Sequence, residues 1–174
     1  LHPRVRRQRQ MCIRDRYNMS LSRCFVGFSS TDKQYFDLMK AWKANNKTTF
    51  DFINCQLGSE INSENEFYIK RLCKERINMS STFIQLIGED TKFKYKYVRW
   101  EAEVAKEKGC RIICVNLNDD RAYDCNTCPP ILNNIGAIFV PFNAKIIQYA
   151  LDNYEMREKG NWYYKDTVYK ELGL

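Results

Sequence analysis

Histidine is almost missing from this chain of 174 residues, and the single one, His2, lies in a basic stretch at the N-terminus. Histidine-based triads and histidine metal sites are therefore excluded for the rest of the sequence. Glycine is also scarce, with seven residues. No GxGxxG, GxxxxGKS/T or GxSxG motif occurs, so we expect neither a glycine-rich phosphate cradle nor a nucleophile elbow.

Long apolar runs are absent as well. No stretch approaches the roughly 20 residues that a membrane-spanning helix needs. The N-terminus is basic, but no apolar segment follows it, so we expect no secretory leader. These absences predict a cytoplasmic protein without a membrane partner.

The formal net charge of +7 is concentrated at the N-terminus. Residues 1–18 hold six arginines and one aspartate, which leaves 22 basic and 20 acidic residues for the remainder. We interpret 1–18 as a non-native or disordered basic leader, ahead of a native start near Met19. A basic arm that binds nucleic acid is the alternative. The nearly balanced remainder, 19–174, predicts one domain with a C-terminal helical extension and no nucleic-acid partner.

Cysteine is plentiful, with eight residues. Four fall in predicted strands or helices, where a free thiol behaves as a small buried hydrophobe: Cys24, Cys73, Cys110 and Cys114. Cys125 and Cys128 form a CNTC sequence in a predicted loop. A zinc site needs a second pair of ligands, so we favour reduced cytosolic thiols over zinc or a redox pair. The adjacent Asp119 and Asp120 are more typical of solvated surface than of a metal site.

Apolar runs alternate with segments of helical periodicity along most of the chain. Strands are predicted at 23–28, 48–54, 82–88, 110–117 and 136–142, and helices near 32–44, 63–77, 97–108 and 143–156, with a short one in the C-terminal tail. Apolar strands that alternate with helices indicate a parallel sheet covered on both faces. Right-handed crossovers then favour a flavodoxin-like, three-layer α/β/α fold with a mainly parallel five-stranded sheet.

The segment LIGEDTKFKYKYVRWEAEVAKEKG joins the third predicted strand to the helix that follows it. Glu101 falls in the first turn of that helix, where the helix N-terminus favours an ionised carboxylate. The fold also places its ligands there, beyond the carboxyl ends of the strands. Taken alone, however, a glutamate that only complements the helix dipole accounts better for this position.

A resemblance changes that balance. A strand that ends in glycine, the YVRWE sequence and a helix leading to another strand resemble TIR-like domains of bacterial antiphage defence, above all the ThsB family of the Thoeris system. The first strand agrees, because FVGFSSTD is similar to the opening F-x-S-F-x-x-D of that family. The likeness covers about residues 23–154, and it implies a TIR-like fold.

The resemblance implies an enzyme that cleaves the nicotinamide–ribose bond of NAD+ and makes a cyclic ADP-ribose-type signal. It implies that Glu101 is catalytic and that Phe28, Ser29, Asp32 and Tyr97 bind the substrate. Tyr97 stands where many TIR domains have tryptophan. Outside this role, Phe28 is an apolar strand end, and Ser29 and Asp32 are helix N-cap residues.

The same resemblance implies the partners of the protein. NAD+ is a substrate, so no cofactor and no metal are expected. Residues 55–61 match the mobile BB loop, which helps to close the site and to assemble subunits, so a homo-oligomer is expected. A nucleotide-sensing effector would respond to the product, and a phage-derived signal would trigger the enzyme.

One carboxylate is enough for this reaction. The pyridinium of NAD+ departs as neutral nicotinamide without a proton, whereas O-glycosides need a second carboxyl group. An ionised glutamate can stabilise the oxocarbenium-like centre that forms, and an aromatic ring such as Phe28 can stack on nicotinamide.

Two other functions fit the same sequence. A non-catalytic TIR-like assembly module would use surface aromatic residues, for which the candidates are Tyr95, Tyr97, Trp100, Tyr163 and Tyr164. A nucleoside deoxyribosyltransferase-like enzyme would have a similar sheet and would also use a carboxylate at a ribose.

Overall fold

The strands form one parallel sheet in a computed structural model that describes residues 23–45, 51–52, 66–94 and 96–174. They are β1 (Arg23–Gly27), β2 (Asp51–Phe52), β3 (Thr82–Ile87), β4 (Arg111–Asn116), β5 (Ala137–Pro141) and β6 (Asn161–Tyr163). The order across the sheet is β2-β1-β3-β4-β5-β6, and each neighbouring pair is parallel. The predicted leader 1–18, the predicted BB loop 55–61 and Tyr95 lie outside the described residues.

Helices lie between the strands and after the last one. They are α1 (Lys33–Ala44), α2 (Glu66–Asn78), α3 (Val98–Lys108), α4 (Ala144–Asn153) and α5 (Asp166–Glu171). Local chemistry accounts for two of their ends. The Asn143 side chain accepts a hydrogen bond from the backbone of Lys145 at the start of α4. Gly109 ends α3 with a φ of 76°, a conformation that suits glycine.

The strand order confirms the predicted flavodoxin-like α/β architecture. β1 pairs with β3 on one side and with β2 on the other, so the direction of the chain across the sheet reverses at β1. In such sheets the crevice beyond the carboxyl ends of the two strands that flank the reversal is the usual ligand site. Here that crevice lies between the end of β1 and the end of β3.

The core has two layers, one on each face of the sheet. Side chains of a strand alternate between faces, so Val26 and Ile84 pack with α1 and α4, whereas Phe25 and Phe83 pack with α2 and α3. We call these the α1/α4 face and the α2/α3 face. The four cysteines predicted to be buried thiols are confirmed as such. Within the described ranges, no helix combines the length and the apolar character needed to cross a bilayer.

The C-terminal tail adds a strand that the sequence did not predict. The tail was expected to form only a short helix, which is present as α5, but β6 precedes it and pairs with β5 through Ile138 and Trp162. Three residues are too few to produce a periodic pattern. Contacts outside the strand hold it, because the Arg157 guanidinium lies 3.7 Å from the Trp162 ring centroid. Correcting the prediction, the sheet has six strands rather than five.

Gly136, just before β5, is the point where the segment leading to β6 meets the sheet. Its N–H donates to the carbonyl of Gly160 at 2.9 Å, and the Tyr154 hydroxyl donates to its carbonyl. Its φ is 79°, and a Cβ placed there would lie 1.7 Å from the carbonyl oxygen of Arg157. The chain passes so closely that no side chain fits.

Gly136→Ala should therefore lower the free energy of unfolding by more than about 2 kcal/mol, since it adds a backbone clash to left-handed strain. Gly109→Ala is the matched control, because Gly109 has a similar φ but no atom of the described residues within 4 Å of the added Cβ. That variant should lose only about 1 kcal/mol. Urea unfolding measures both; equal losses would show that the close approach contributes nothing.

Candidate active site

The carboxyl group of Glu101 lies at the crevice between β1 and β3, on the α2/α3 face. A Cβ placed on Gly27 would be 3.0 Å from Glu101 Oε2 and 2.8 Å from Gln85 Oε1. Gly27 therefore leaves the space that these two oxygen atoms fill. From α2, the Cys73 thiol donates a hydrogen bond of 3.6 Å to Glu101 Oε1. Two strands and two helices thus surround this carboxyl group.

Gln85 is a fully buried amide in the middle of the apolar strand β3. Its Nε2 donates to the backbone carbonyls of Gly27, at 3.1 Å, and of Leu86, at 2.9 Å. These two bonds assign the orientation of the amide, because only its nitrogen can donate to a carbonyl oxygen. The other end, Oε1, accepts no hydrogen bond from the residues that the structure describes.

Burial dominates the electrostatics of Glu101. Removal of its carboxyl group from water raises its pKa to about 8, and the Cys73 hydrogen bond opposes this only in part. Burial therefore favours the neutral carboxyl group in the free protein, whereas the expectation from the sequence rested only on the effect of the helix N-terminus. The helix N-terminus does favour the charge, but no cation of the described residues offsets the lost solvation. The residue as a whole remains partly exposed, although its carboxyl group is buried.

Asp32 belongs to a separate cluster that ties the ends of β1 and β3 together. Its carboxylate accepts a hydrogen bond from Thr91 Oγ1 at 3.3 Å, and Thr91 Oγ1 in turn accepts one from the Gly88 N–H at 2.8 Å. Burial and then the nearby Asp90 carboxylate raise the pKa of Asp32. Its side chain makes no cap hydrogen bond to α1, so the alternative N-cap role does not apply.

Phe28 lies on the opposite face of the sheet from the Glu101 carboxyl group, and Ser29 contacts Thr31. The Phe28 ring stacks on Phe36 with centroids 4.8 Å apart and belongs to the α1/α4 face. Ser29 is buried, and its hydroxyl lies 2.7 Å from Thr31 Oγ1. The structure therefore brings Glu101 together with Gly27 and Gln85, but it does not bring Phe28 to the same side of the sheet.

Tyr97 immediately precedes α3, four residues before Glu101. It is half-buried, and the Lys96 ammonium lies 5.5 Å from its ring centroid. Lys96 also pairs with Glu66 of α2 at 2.8 Å. This contact connects the residue just before α3 to the start of α2.

A groove of about 250 Å³ lies along α3 on the side that carries Arg99. It is lined by Lys92, Lys94, Arg99, Pro129, Pro130 and Ile131. Arg99 and Glu101 are two helix positions apart, which is about 200° around the axis. The groove therefore does not open directly onto the Glu101 carboxyl. Its three cations suit an anionic group, although Lys94 and Arg99 already pair with Asp90 and Glu103.

Sequence reasoning missed Gly27, Gln85 and Cys73 as parts of this site. Gln85 carried a signal, because a glutamine inside the otherwise apolar run TFIQLIG is unusual for a buried strand. Gly27 and Cys73 carried none, since a glycine at a strand end and a cysteine on a helix have many structural uses. The pairing of β1 with β3 brings Gly27 and Gln85 together, and the packing of α2 against the sheet adds Cys73.

Glu101→Gln should stabilise the protein increasingly as the pH rises. A carboxyl whose folded pKa is raised contributes stability that is fully present below pH 4.5 and is lost as the pH rises through about 8. Glutamine has no such loss, so its advantage over wild type should be absent near pH 4.5 and reach about 1–4 kcal/mol at pH 9.

Thermal unfolding at pH 5 and pH 9 measures this difference. Glu103→Gln is the matched control on the same helix, because Glu103 is paired with Arg99 at the surface. A Glu101→Gln advantage of the same size at both pH values would contradict burial of the carboxyl group.

Comparison with known proteins agrees with these features. A family model described as the TIR-like domain of the Thoeris protein ThsB matches residues 25–122. TIR2 of Cytobacillus dafuensis, named as an inferred cyclic ADP-D-ribose synthase, is 30% identical over 76 residues. That match covers 44% of this chain and only 18% of the relative.

Among solved structures, the CMP N-glycosidase BcmB of Clostridium botulinum aligns with a TM-score of 0.42 and 12% identity, over 75% of this chain and 97% of that one. The family model, in contrast, spans more than half of the chain and contains β3, α3 and Glu101. This chain therefore belongs to the family of Thoeris ThsB TIR-like domains.

Proposed function

We propose that this chain is an NAD+-processing enzyme of antiphage defence that cleaves the nicotinamide–ribose bond, with Glu101 as its catalytic carboxylate. The observation that carries the proposal is the enclosed carboxyl group of Glu101 at the crevice between β1 and β3. Perturbed carboxyl groups in such crevices are typical of catalytic sites. Membership of the ThsB family and the name of the Cytobacillus relative support the choice of NAD+.

The reaction needs one bond to break without a proton donor. The bond between ribose C1′ and the pyridinium nitrogen breaks, and its electron pair moves to that nitrogen, so nicotinamide leaves uncharged. The ribose then carries positive charge at C1′. An ionised Glu101 stabilises that charge electrostatically inside a site that excludes most water. A bond then forms from C1′ to another atom of ADP-ribose, which closes a ring, or to the oxygen of water, which gives free ADP-ribose; in either case the attacking group loses one proton to solvent.

Burial favours the neutral form of Glu101 in the free protein, and the positive charge of the substrate favours its ionised form. A cation within a few ångströms of a carboxyl favours its ionised form. Binding of the pyridinium therefore opposes the effect of burial on the pKa of Glu101. The carboxylate forms where and when the cationic ring is present.

Glu101→Gln should abolish nicotinamide release, with a loss of at least about 100-fold, because glutamine keeps the size of the side chain and removes its negative charge. Glu103→Gln should retain activity within about twofold, since Glu103 pairs with Arg99 on the outer side of α3. Incubation with NAD+ in infected-cell lysate, followed by chromatography of nicotinamide and of cyclic products, measures both.

Equal release by wild type and Glu101→Gln would contradict a catalytic role for Glu101. Release of nicotinamide with only linear ADP-ribose as the other product would contradict the cyclic signal but not the cleavage. Transfer of a ribosyl group between nucleosides, with NAD+ unchanged, would instead select the deoxyribosyltransferase-like alternative.

A non-catalytic assembly module is the second candidate, and exposed aromatic side chains favour it. Tyr163 is 61% exposed, Phe67 78% and Phe93 64%. Two of the predicted surface aromatics do not contribute, because Trp100 and Tyr164 pack against the two core layers. Tyr163 is exposed as predicted, and Phe67 and Phe93 are exposed aromatic residues that were not predicted from the sequence.

Phe67→Ser combined with Phe93→Ser should shift the protein from oligomer to monomer on size-exclusion chromatography if this surface assembles subunits. Leu38→Ser is the matched control, because Leu38 is 44% exposed on α1, on the opposite face of the sheet. Unchanged elution of the double variant would contradict assembly through these residues.

The proposed function also includes a nucleotide-sensing effector that responds to the product and a phage-derived signal that triggers the enzyme. The infected-cell lysate used in the activity assay supplies that signal.

A further inference from the structure

The Gln85 oxygen without a hydrogen-bond partner among the described residues and a carboxyl oxygen of Glu101 lie beside the same residue of β1, Gly27. Gln85 Oε1 and Glu101 Oε2 both lie within 3.0 Å of the position that a Cβ on Gly27 would take. Gln85 cannot turn its amide to relieve this, because both Nε2 hydrogens are engaged by the carbonyls of Gly27 and Leu86. Two oxygen acceptors therefore border the same point of β1, next to a fully buried amide.

Such an arrangement is costly unless a proton lies between the two oxygens. A buried acceptor without a donor is unfavourable, and a carboxylate facing a carbonyl oxygen adds repulsion. A neutral carboxyl group removes both costs, since its O–H can donate to Gln85 Oε1 while its other oxygen accepts from Cys73. Both oxygens of Glu101 and the oxygen of Gln85 then have partners.

We propose that Gln85 is a positioning residue for Glu101, whose carbonyl oxygen accepts the carboxyl hydrogen of Glu101 and holds that group neutral and oriented in the free protein. Ionisation breaks the O–H bond heterolytically. The electron pair stays on Glu101 Oε2, and the proton passes to solvent. Gln85 is not consumed or altered in this step.

The other groups that face Glu101 do not by themselves hold it neutral. β1 presents Gly27 and β3 presents Gln85 and Phe83, none of which titrates. From α2, Cys73 is the titratable group that acts on the pKa of Glu101, and it lowers that pKa. On α3 itself, Arg99 and Glu103 pair with each other at the surface. Burial, which raises the pKa of Glu101, acts in the same direction as Gln85.

The consequence for substrate binding rests on the proposed function. A cationic pyridinium that enters the crevice favours the carboxylate, so binding releases the proton that Gln85 held. The freed Gln85 oxygen can then accept a hydrogen bond from a donor on the ligand, such as a ribose hydroxyl. The same side chain would thus keep the site neutral at rest and orient the substrate afterwards.

The first test needs no enzymatic activity. In protein labelled with ¹³C at the glutamate carboxyl carbon, the Glu101 resonance is identified by its loss in Glu101→Gln and followed over the pH range around its midpoint. Gln85→Met keeps the length of the side chain and removes the acceptor. We expect it to lower the midpoint of the Glu101 titration by about one pH unit, the equivalent of one lost hydrogen bond to the neutral form.

Asn116→Leu is the matched control. Asn116 is a buried amide on β4 whose Nδ2 donates to the carbonyls of Asp120 and Ala122 and whose Oδ1 has no partner among the described residues. It does not act on the pKa of Glu101. This variant should leave the Glu101 midpoint in place. An unchanged or raised midpoint in Gln85→Met, or an equal fall in both variants, would overturn the proposal.

A second measurement uses the wild-type chain, which keeps the proposal testable if Gln85→Met does not fold. The ¹⁵N side-chain amide resonances of Gln85 should shift with the same pH midpoint as the Glu101 carboxyl carbon, whereas those of Asn116 should not. Absence of that shift in Gln85 would overturn the hydrogen bond. Failure to cleave NAD+ would refute the proposed function and leave both NMR outcomes intact.

Discussion

The close approach of a carboxyl group to a strand that lacks a side chain organises the functional end of this molecule. Gly27 allows the first turn of α3 to bring Glu101 against β1, because a Cβ would lie 2.8 Å from Gln85 Oε1 and 3.0 Å from Glu101 Oε2 and crowd both side chains. The amide of Gln85 bonds to the backbone of β1 and of its own strand, so it ties the two strands together beside the carboxyl group. Movement of β1 relative to β3 would therefore alter the environment of Glu101 directly.

Two requirements on the Glu101 carboxyl group oppose each other in this site, since its burial favours the neutral form and its proposed role needs the charged form. Enclosure makes the carboxyl neutral, yet the chemistry proposed for it needs a carboxylate. A cationic substrate would supply the opposite charge that favours the carboxylate and that no cation of the described residues supplies. The Asp32 cluster obeys a different logic, since its hydrogen bonds to Thr91 connect the loops after β1 and β3 and hold the crevice together.

Periodicity and strand character were enough to predict the parallel sheet, the helices on both of its faces and the location of Glu101. They did not predict which face of the sheet α3 covers, because an apolar strand buried on both faces carries no sign of the helix that packs on each. Phe28 lies two residues after Val26 and shares its α1/α4 face, whereas Gly27 faces Glu101. The effect of burial on the pKa of Glu101 could not be predicted either. A helix N-terminus can be recognised in a sequence, but desolvation by β1, β3 and α2 depends on how these elements pack.

The short sixth strand has a consequence for association with other chains. β5 is an apolar strand, and as the last strand of the sheet it would present a row of free N–H and C=O groups to any neighbouring chain. β6 covers that edge with three residues, and the chain then turns at Lys165 and Asp166 into α5. The new edge is short and flanked by charge, which are the features by which natural sheets avoid edge-to-edge aggregation. The C-terminal tail thus limits pairing of the apolar edge strand β5 with strands of other copies of the chain.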